Sequence, residues 1–398
     1  MRIATANTYD VSIDALSRRH EELRRSQEQL SSTKRVNRGS DDPTAAARAE
    51  RARAGLERTA ANQRAVEASR TAMTLSESAL GDATNLLQHA RETIVSSGNG
   101  VYSDAERKAL ASEIRNVRAQ LFAIANSDDG AGGYMFGGQG SSAPPFIDAP
   151  GGVQFVGSPG DTRVADDSGL PLTVDGRKTW LQARTGNGSF ETAVTTSNGT
   201  AWIDAGQVTD QSAITGSTYS IQFTVTPTGT TYSILQDGAA TAQTDVAYVS
   251  GQSIEIDGQA VKITGQPEDG DAFEMLPPAD DLSTFDVLDR IATQLEAGGR
   301  NGGQVAQTTA FGLRDLDAVL ARVQSVRSDT GEALNRIDTA TGRLDSQKLA
   351  QTNERSLAED LDMVEAISDF QARQTSYDAA LKAYSLVQRL SLFQYINP

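Results

Sequence analysis

The chain has 398 residues, with 36 basic and 52 acidic side chains and a formal net charge of −16. So acidic a surface repels phosphate backbones and anionic lipid, so neither nucleic acid nor a membrane is an expected partner. Cysteine is absent and only two histidines occur, His20 and His89. That excludes disulfide scaffolds, thiol chemistry and most imidazole-based metal or acid–base sites. The longest apolar run, Leu121 to Ala125, is too short for a membrane span or a signal-peptide core. A soluble protein is expected, and any export would proceed without a cleavable signal peptide.

Composition divides the chain in three. Of the 35 glycines, 27 lie between Gly130 and Gly303, and no proline occurs in 44–143 or 279–397. Residues 141–281 hold 18 acids against 5 bases, so most of the negative charge lies there. The flanks, poor in both breakers, suit long helices.

In chain order, a first helix is expected over 5–34, where Ile13, Leu16, His20, Leu23, Gln27 and Leu30 step by three and four. A second, over 43–97, opens with Asp42 as N-cap and Pro43 at its first position. It repeats Val66, Met73, Leu80, Leu87 and Ile94 every seven residues. Gly98-Asn99-Gly100 separates it from a third helix over 104–126, where Ser103 and Glu106 fit a capping box. The third helix carries Leu110, Ile114, Val117, Leu121 and Ile124. The middle reads as strands at 217–225, 230–236 and 253–265, which alternate apolar and polar residues, with Asp257-Gly258 as a hairpin turn. A helix over 305–346 then presents Leu313, Leu316, Leu320, Val323, Leu334, Ile337 and Leu344. A last one, over 350–393, steps through Met363, Ile367, Phe370, Gln374, Tyr377, Leu381 and Tyr384.

A sustained repeat of three and four indicates left-handed coiled-coil or bundle packing. A stripe of two residues per heptad is too narrow to bury a helix that has no partner. The expected fold class is therefore α+β. An elongated helical rod, coiled-coil-like, is built by pairing the N- and C-terminal segments, and it carries an inserted, mainly antiparallel β domain. The segments are 1–40 for N-terminal assembly, 41–140 for the N-terminal half of the rod, 141–281 for the β-rich insert, 282–349 for the C-terminal half of the rod and 350–398 for C-terminal assembly. The expected rod core is Val66, Met73, Leu80, Leu87, Leu316 and Leu320. The expected assembly seam is Ile13, Leu16, Leu23, Leu30, Met363, Ile367, Phe370, Tyr377, Leu381 and Tyr384, with Leu386, Leu390 and Phe393 as further apolar surface. Two terminal helices alone bury too little to offset backbone ordering at about 1–2 kcal/mol per residue. They are expected to be disordered in a monomer and to order against neighbouring subunits.

Several stretches resemble the flagellin superfamily. They are MRIATANTYD at the start, LSSTKRVNRGSDDPTAAARAE at 30–50, LNRID at 334–338 and SLAEDLDMVEAISDFQARQTSYDAALKAYSLVQRLSLFQYI at 356–396. ANSDDGAGGYMFGGQ at 125–139, SIEIDGQAVKITGQPEDGDAFEMLP at 253–277 and the LSLFQYI ending are similar to its hook-associated branch. Flagellins commonly have Gly where Thr33 stands, and 150–250 matches no known pattern. The resemblance implies an extracellular structural subunit of the bacterial flagellum that joins hook to filament. Its implied partners are itself, hook-associated protein 1 and flagellin. It would be exported unfolded by the flagellar type III apparatus, with an export chaperone on its C-terminal segment.

Other readings weigh less. His20 lies on the seam without convergent ligands and is read as a seam histidine. His89 falls in LLQHARETIV (86–95), which resembles a flagellin segment that contacts neighbouring subunits, so packing through Gln88, Arg91 and Glu92 is expected there. GQGSSA (138–143) is followed by two prolines rather than a helix, so it is not a dinucleotide loop. Glu268, Asp269 and Asp271 lack an EF-hand pattern. No catalytic constellation can be assembled, so neither an enzyme nor a cofactor is expected. A filament flagellin is the nearest alternative, and a rod-displayed adhesin or glycan-binding domain a more distant one.

Overall fold

The computed structural model describes the backbone of residues 2–163 and 169–396, with side chains described between 10 and 386. The described elements are α1 (Arg2–Ser32), α2 (Pro43–Ser97), α3 (Asp104–Ala125), β1 (Phe146–Ala149), β2 (Gly152–Phe155), α4 (Gly176–Trp180), β3 (Glu191–Thr196), β4 (Trp202–Ile203), β5 (Gln207–Val208), β6 (Tyr219–Thr226), β7 (Gly229–Gln236), β8 (Ala239–Ala240), β9 (Val246–Ala247), β10 (Ser253–Ile256), β11 (Gln259–Thr264), β12 (Ala272–Leu276), α5 (Thr284–Glu296), α6 (Gly302–Glu359) and α7 (Met363–Ile396). They divide into two compact units, residues 1–64 with 341–398 and residues 65–340.

The larger unit holds the inserted β domain and four helical pieces. All its strand pairs are antiparallel. One sheet runs β3-β12-β6-β7, with β8 and β9 both on the outer edge of β7. A second pairs β10 with β11, and β4 and β5 share the other edge of β11. Tyr219, Ile221, Phe223, Ile234, Val261, Ile263, Phe273 and Met275 fill the core. The hairpin at Asp257-Gly258 has positive φ at both residues, 45° and 75°, as a type I′ turn requires. A Cβ on Gly258 would lie 2.0 Å from the Asp210 carbonyl oxygen, so the turn needs glycine for space as well as for φ.

Sequence periodicity did not isolate α5 as a helix. Ser283 caps it by accepting the Asp286 N–H at 3.2 Å, and Val287, Leu288, Ile291, Ala292 and Leu295 are buried. It packs along α3, whose buried face is Ala111, Ile114, Val117, Leu121 and Ala125. Ser103 and Glu106 do form a capping box at the start of α3.

Arg115 and Arg118 of α3 lie over this packing. Arg115 reaches Glu296 at 2.7 Å, and Arg118 forks onto Asp148 at 2.8 and 2.9 Å and reaches Asp289 at 2.6 Å. Hydrogen bonds from these guanidinium groups hold the Asp148 and Glu296 carboxyls below the usual carboxylate range. A carboxyl with a depressed folded pKa contributes stability above its unfolded pKa, about 3.9 for Asp and 4.3 for Glu. That contribution is lost as pH falls through the folded value. Burial raises Asp286, which acts in the opposite sense. The melting temperature of the protein should therefore fall as pH drops below about 4.5. Asp148→Asn combined with Glu296→Gln should flatten that decline, and an unchanged profile in the double variant would remove these two pairs as its cause.

The helical seams follow the repeat of three and four, in the expected phase on α2 but beside several of the expected leucines on α6. On α2, the buried positions between Val66, Met73, Leu80, Leu87 and Ile94 are Ser69, Ser76, Ala83, Ala90 and Ser97. On α6, the buried series runs Leu316, Val319, Val323, Val326, Thr330, Ala333, Ile337, Ala340 and Leu344. Leu320, expected in the core, is half-buried, as are Leu313 and Leu334, and Val319 takes its place. Seam positions filled by Thr and Ala let the helices approach closely and push the neighbouring leucines to its flank. α6 also runs unbroken from 302 to 359, across the boundary expected near 349. The sequence from Ser346 to Ala350 contains no breaker, whereas Asp362 caps α7 by accepting the Val364 and Glu365 N–H groups at 3.0 and 3.2 Å.

Candidate assembly surface

The smaller unit joins α1 and α7 to the first turns of α2 and the last of α6. Its α2 face is built from small residues, with Ala45, Ala49, Ala52 and Thr59 buried. Asp42 caps α2, accepting from Thr44 and Ala45 N–H at 3.1 and 3.0 Å, ahead of Pro43. Gln63 and Thr59 tie α2 to Asp345 and Gln351 of α6 at 2.8 and 3.0 Å.

The loop after α1 is clasped to the junction of α6 and α7. Arg35 N–H donates to the Glu359 carbonyl at 2.8 Å, and Leu361 N–H donates to the Thr33 carbonyl at 3.1 Å. Glu359 is buried, and its carboxylate takes Arg53, with Lys34 and Arg355 each at 3.5 Å. One carboxylate is thus set against three cations where the loop after α1 meets the junction of α6 and α7.

Thr33 sits at φ +56°, in the left-handed region. A β-branched side chain there costs about 1–2 kcal/mol, which glycine does not incur. Glycine adds back some unfolded-state entropy. Thr33→Gly should stabilise the protein by up to about 1 kcal/mol, read as a higher urea midpoint at unchanged slope. No change would mean that the clasp does not strain this residue.

Beyond the clasp, α1 and α7 pack on each other. Arg19 Nη1 donates to the Ser376 hydroxyl at 2.6 Å, and the His20 and Tyr377 rings lie 5.5 Å apart. Most side chains between them stay incompletely covered. Leu16, Leu23, Leu30, Phe370, Tyr377 and Tyr384 are half-buried. Ile13, Met363, Ile367 and Leu381 are 39–46% exposed, so they lie outside the α1–α7 seam in which they were expected. The physical reason is the phase shift seen on α6. Buried Ser26 stands beside exposed Gln27, and half-buried Ala366, Arg373 and Ala380 precede exposed Ile367, Gln374 and Leu381. The exposed apolar residues of α7 also include Val364 at 83% and Leu386 at 59%, and Leu357 near the end of α6 is 84% exposed. Leu390 and Phe393 lie outside the described side chains. Exposed apolar residues grouped in this way, on helices that already have one partner, are a surface prepared for another.

Of the residues expected in the rod core, Val66, Met73, Leu80, Leu87 and Leu316 are buried to 3% exposure or less. His89 is exposed and pairs with Glu113 at 2.7 Å, and Arg91 pairs with Asp317 at 2.7 Å. Among the described residues no group of side chains could hold a metal ion, and no helix is long and apolar enough to cross a membrane.

Comparison with known proteins adds sequence and fold likeness over both ends. The family model for the bacterial flagellin N-terminal helical region matches residues 3–141, and that for the C-terminal helical region matches 313–396. The chain is 27% identical to flagellar hook-associated protein 3 of Escherichia coli (strain K12) over 402 aligned positions, covering 99% of each. The crystal structure of FlgL from Xanthomonas campestris matches with a TM-score of 0.68 and 28% identity, over 77% of this chain and 99% of that one. The flagellar junction protein FlgL of Legionella pneumophila matches at 0.64 and 26%, over 70% and 94%. With the two models together spanning more than half of its length, the chain belongs to the bacterial flagellin family, in the hook-associated protein 3 branch.

Proposed function

We propose that this chain is a structural subunit of the extracellular bacterial flagellum, joining hook to filament by self-assembly through its terminal helices. The observation that carries the reading is the apolar face left open by the α1–α7 pair, at Ile13, Met363, Val364, Ile367, Leu381 and Leu386. Burying such side chains yields about 25 cal/mol per Å². In a monomer that gain is withheld, and packing against neighbouring copies recovers it. The names of the full-length relatives support the hook–filament position over a filament subunit. On this reading the chain meets hook-associated protein 1 on one side and the first flagellins on the other. It travels unfolded through the flagellar type III export apparatus, its C-terminal segment held by an export chaperone until then.

A tagged copy should appear as one focus at the hook tip of each flagellum, in trace amount relative to filament protein. Label along the whole filament, as a major band in sheared material, would make the chain a filament flagellin instead.

A further inference from the structure

The larger unit contains a cavity of about 430 Å³ between β3, α5 and α6, walled in part by Arg290, Arg300, Arg314 and Asp315. Two of its three cations are already matched. Arg314 donates to Asp315 at 2.7 Å and to the Thr192 carbonyl at 2.6 Å, and reaches Glu191 at 3.4 Å. Arg290 donates to the same Asp315. Arg300 differs. Its Nη1 and Nη2 donate to the carbonyls of Gln294 and Gln304 at 2.9 and 3.0 Å. These bonds fix the guanidinium plane but supply no negative charge. A guanidinium carries five N–H groups, so three remain.

Its surroundings add positive charge. Gly299 N–H donates to Asp104 Oδ2 at 3.2 Å, which lays the loop between α5 and α6 on the first turn of α3. Arg107 is on that turn, with Nη1 buried and without a hydrogen-bond partner, and its distance to Asp104 is 4.0 Å. Burial first, and the Arg107 cation second, depress the pKa of Arg300. Arg107 thus adds positive charge to the surroundings of Arg300, while Asp104 stays 4.0 Å from Arg107 Nε. A half-buried cation without a counter-charge carries a desolvation cost, and a planar fork of N–H groups matches an oxyanion.

The rest of the wall narrows the ligand. The volume suits a small molecule rather than a bare ion. Gln294, Gln304 and Ser197 line it. Gln304 Oε1 already accepts the Asn301 N–H at 3.2 Å, and the Ser197 hydroxyl donates to the Ala201 carbonyl at 3.4 Å. That leaves the Gln304 NH2 group as a donor and the Ser197 oxygen as an acceptor for hydroxyl groups, beside the Gln294 amide. Phe311 offers little open ring face, because the Arg314 guanidinium carbon lies 4.3 Å from its centroid. We propose that this cavity binds an acidic monosaccharide, its carboxylate on Arg300 and its hydroxyls on the Gln294, Gln304 and Ser197 side chains. This gives the larger unit a ligand-binding role separate from assembly through the terminal helices.

The test is calorimetric titration of the full-length monomer with glucuronate, glucose and inorganic phosphate in turn. Glucuronate should bind saturably, glucose should not, and phosphate should bind at least about tenfold more weakly than glucuronate. Arg300→Gln should weaken glucuronate at least about tenfold. Gln294→Leu, which leaves the Arg300 bond to the Gln294 backbone in place, should weaken it several-fold at an unchanged melting temperature. No saturable glucuronate binding, or binding unaltered by both variants, overturns the proposal. Phosphate binding as tightly as glucuronate would overturn the sugar assignment.

Discussion

Leu87→Asp should cost the protein about 4 kcal/mol or more, lowering its melting temperature by roughly 10 °C. Leu87 is completely buried on α2, in a series that includes Leu80, Ala83, Ala90 and Ile94. Arg91 and Arg327, the nearby α2–α6 bridges, are committed to Asp317 and Glu77 on the outside of the seam. The new carboxylate would lose its hydration without a partner, or the helices would have to part around it. Leu320→Asp is the informative companion. Half-buried on the flank of the seam, it should cost well under half as much. Equal losses at the two positions would restore the phase in which Leu320 lies in the core. A Leu87→Asp protein melting within about a degree of the parent would remove Leu87 from the core altogether.

That comparison marks what periodicity reveals. Large residues at seven-residue spacing locate one of the two seam positions in each heptad, because burial of a large apolar side chain dominates its energetics. The second position is filled by Ser or Ala on α2 and by Val or Ala on α6, and a search for the largest apolar residues passes over it, as Val319 was passed over for the adjacent Leu320. Gly312 shows how tight such positions are, since an added Cβ would lie 3.3–3.4 Å from Ile291 and Ile94. Hairpins were legible where alternation met a turn signal, as at Asp257-Gly258. The strands β3 and β12 were not singled out, since each is short and takes its place from long-range pairing with the other. The clasp around Glu359 was equally hidden. It joins Lys34 and Arg53 to a residue more than 300 positions away, and no local pattern encodes that.

The phase shift also decides what the terminal helices are for. A pair optimised for each other would place Ile367 and Leu381 in the seam and Ala366 and Ala380 outside it. The observed arrangement covers Ala366 and Ala380 along with Phe370, Tyr377 and Tyr384 and leaves Ile367 and Leu381 exposed, so part of the large apolar surface is kept for contacts beyond the chain. The intramolecular contact is correspondingly weak, and ordering α7 costs about 1–2 kcal/mol for each of its 34 residues.

Removal of 363–398 should therefore leave a soluble monomer in which residues 65–340 melt as in the parent. Val319, Ile337 and the β-domain core lie wholly within that range. Ending the chain at Asp362 keeps Glu359 and its cations, and keeps Leu361 for its bond to Thr33, so the clasp is not the part under test. On the proposed function, the truncated protein should fail to bind an export chaperone and, if supplied outside the cell, should fail to complete the junction, so that flagellin is lost to the medium. In the full-length monomer, amides of 363–396 should exchange within seconds at neutral pH, and those of α3 and β6 should be protected by orders of magnitude. A segment that orders only on binding gives up affinity per unit area but serves two partners in turn, first the chaperone and then the neighbouring subunit. Strong protection of 363–396 in a verified monomer would mean that the α1–α7 pair is stable by itself, and ordering upon assembly would have to be abandoned.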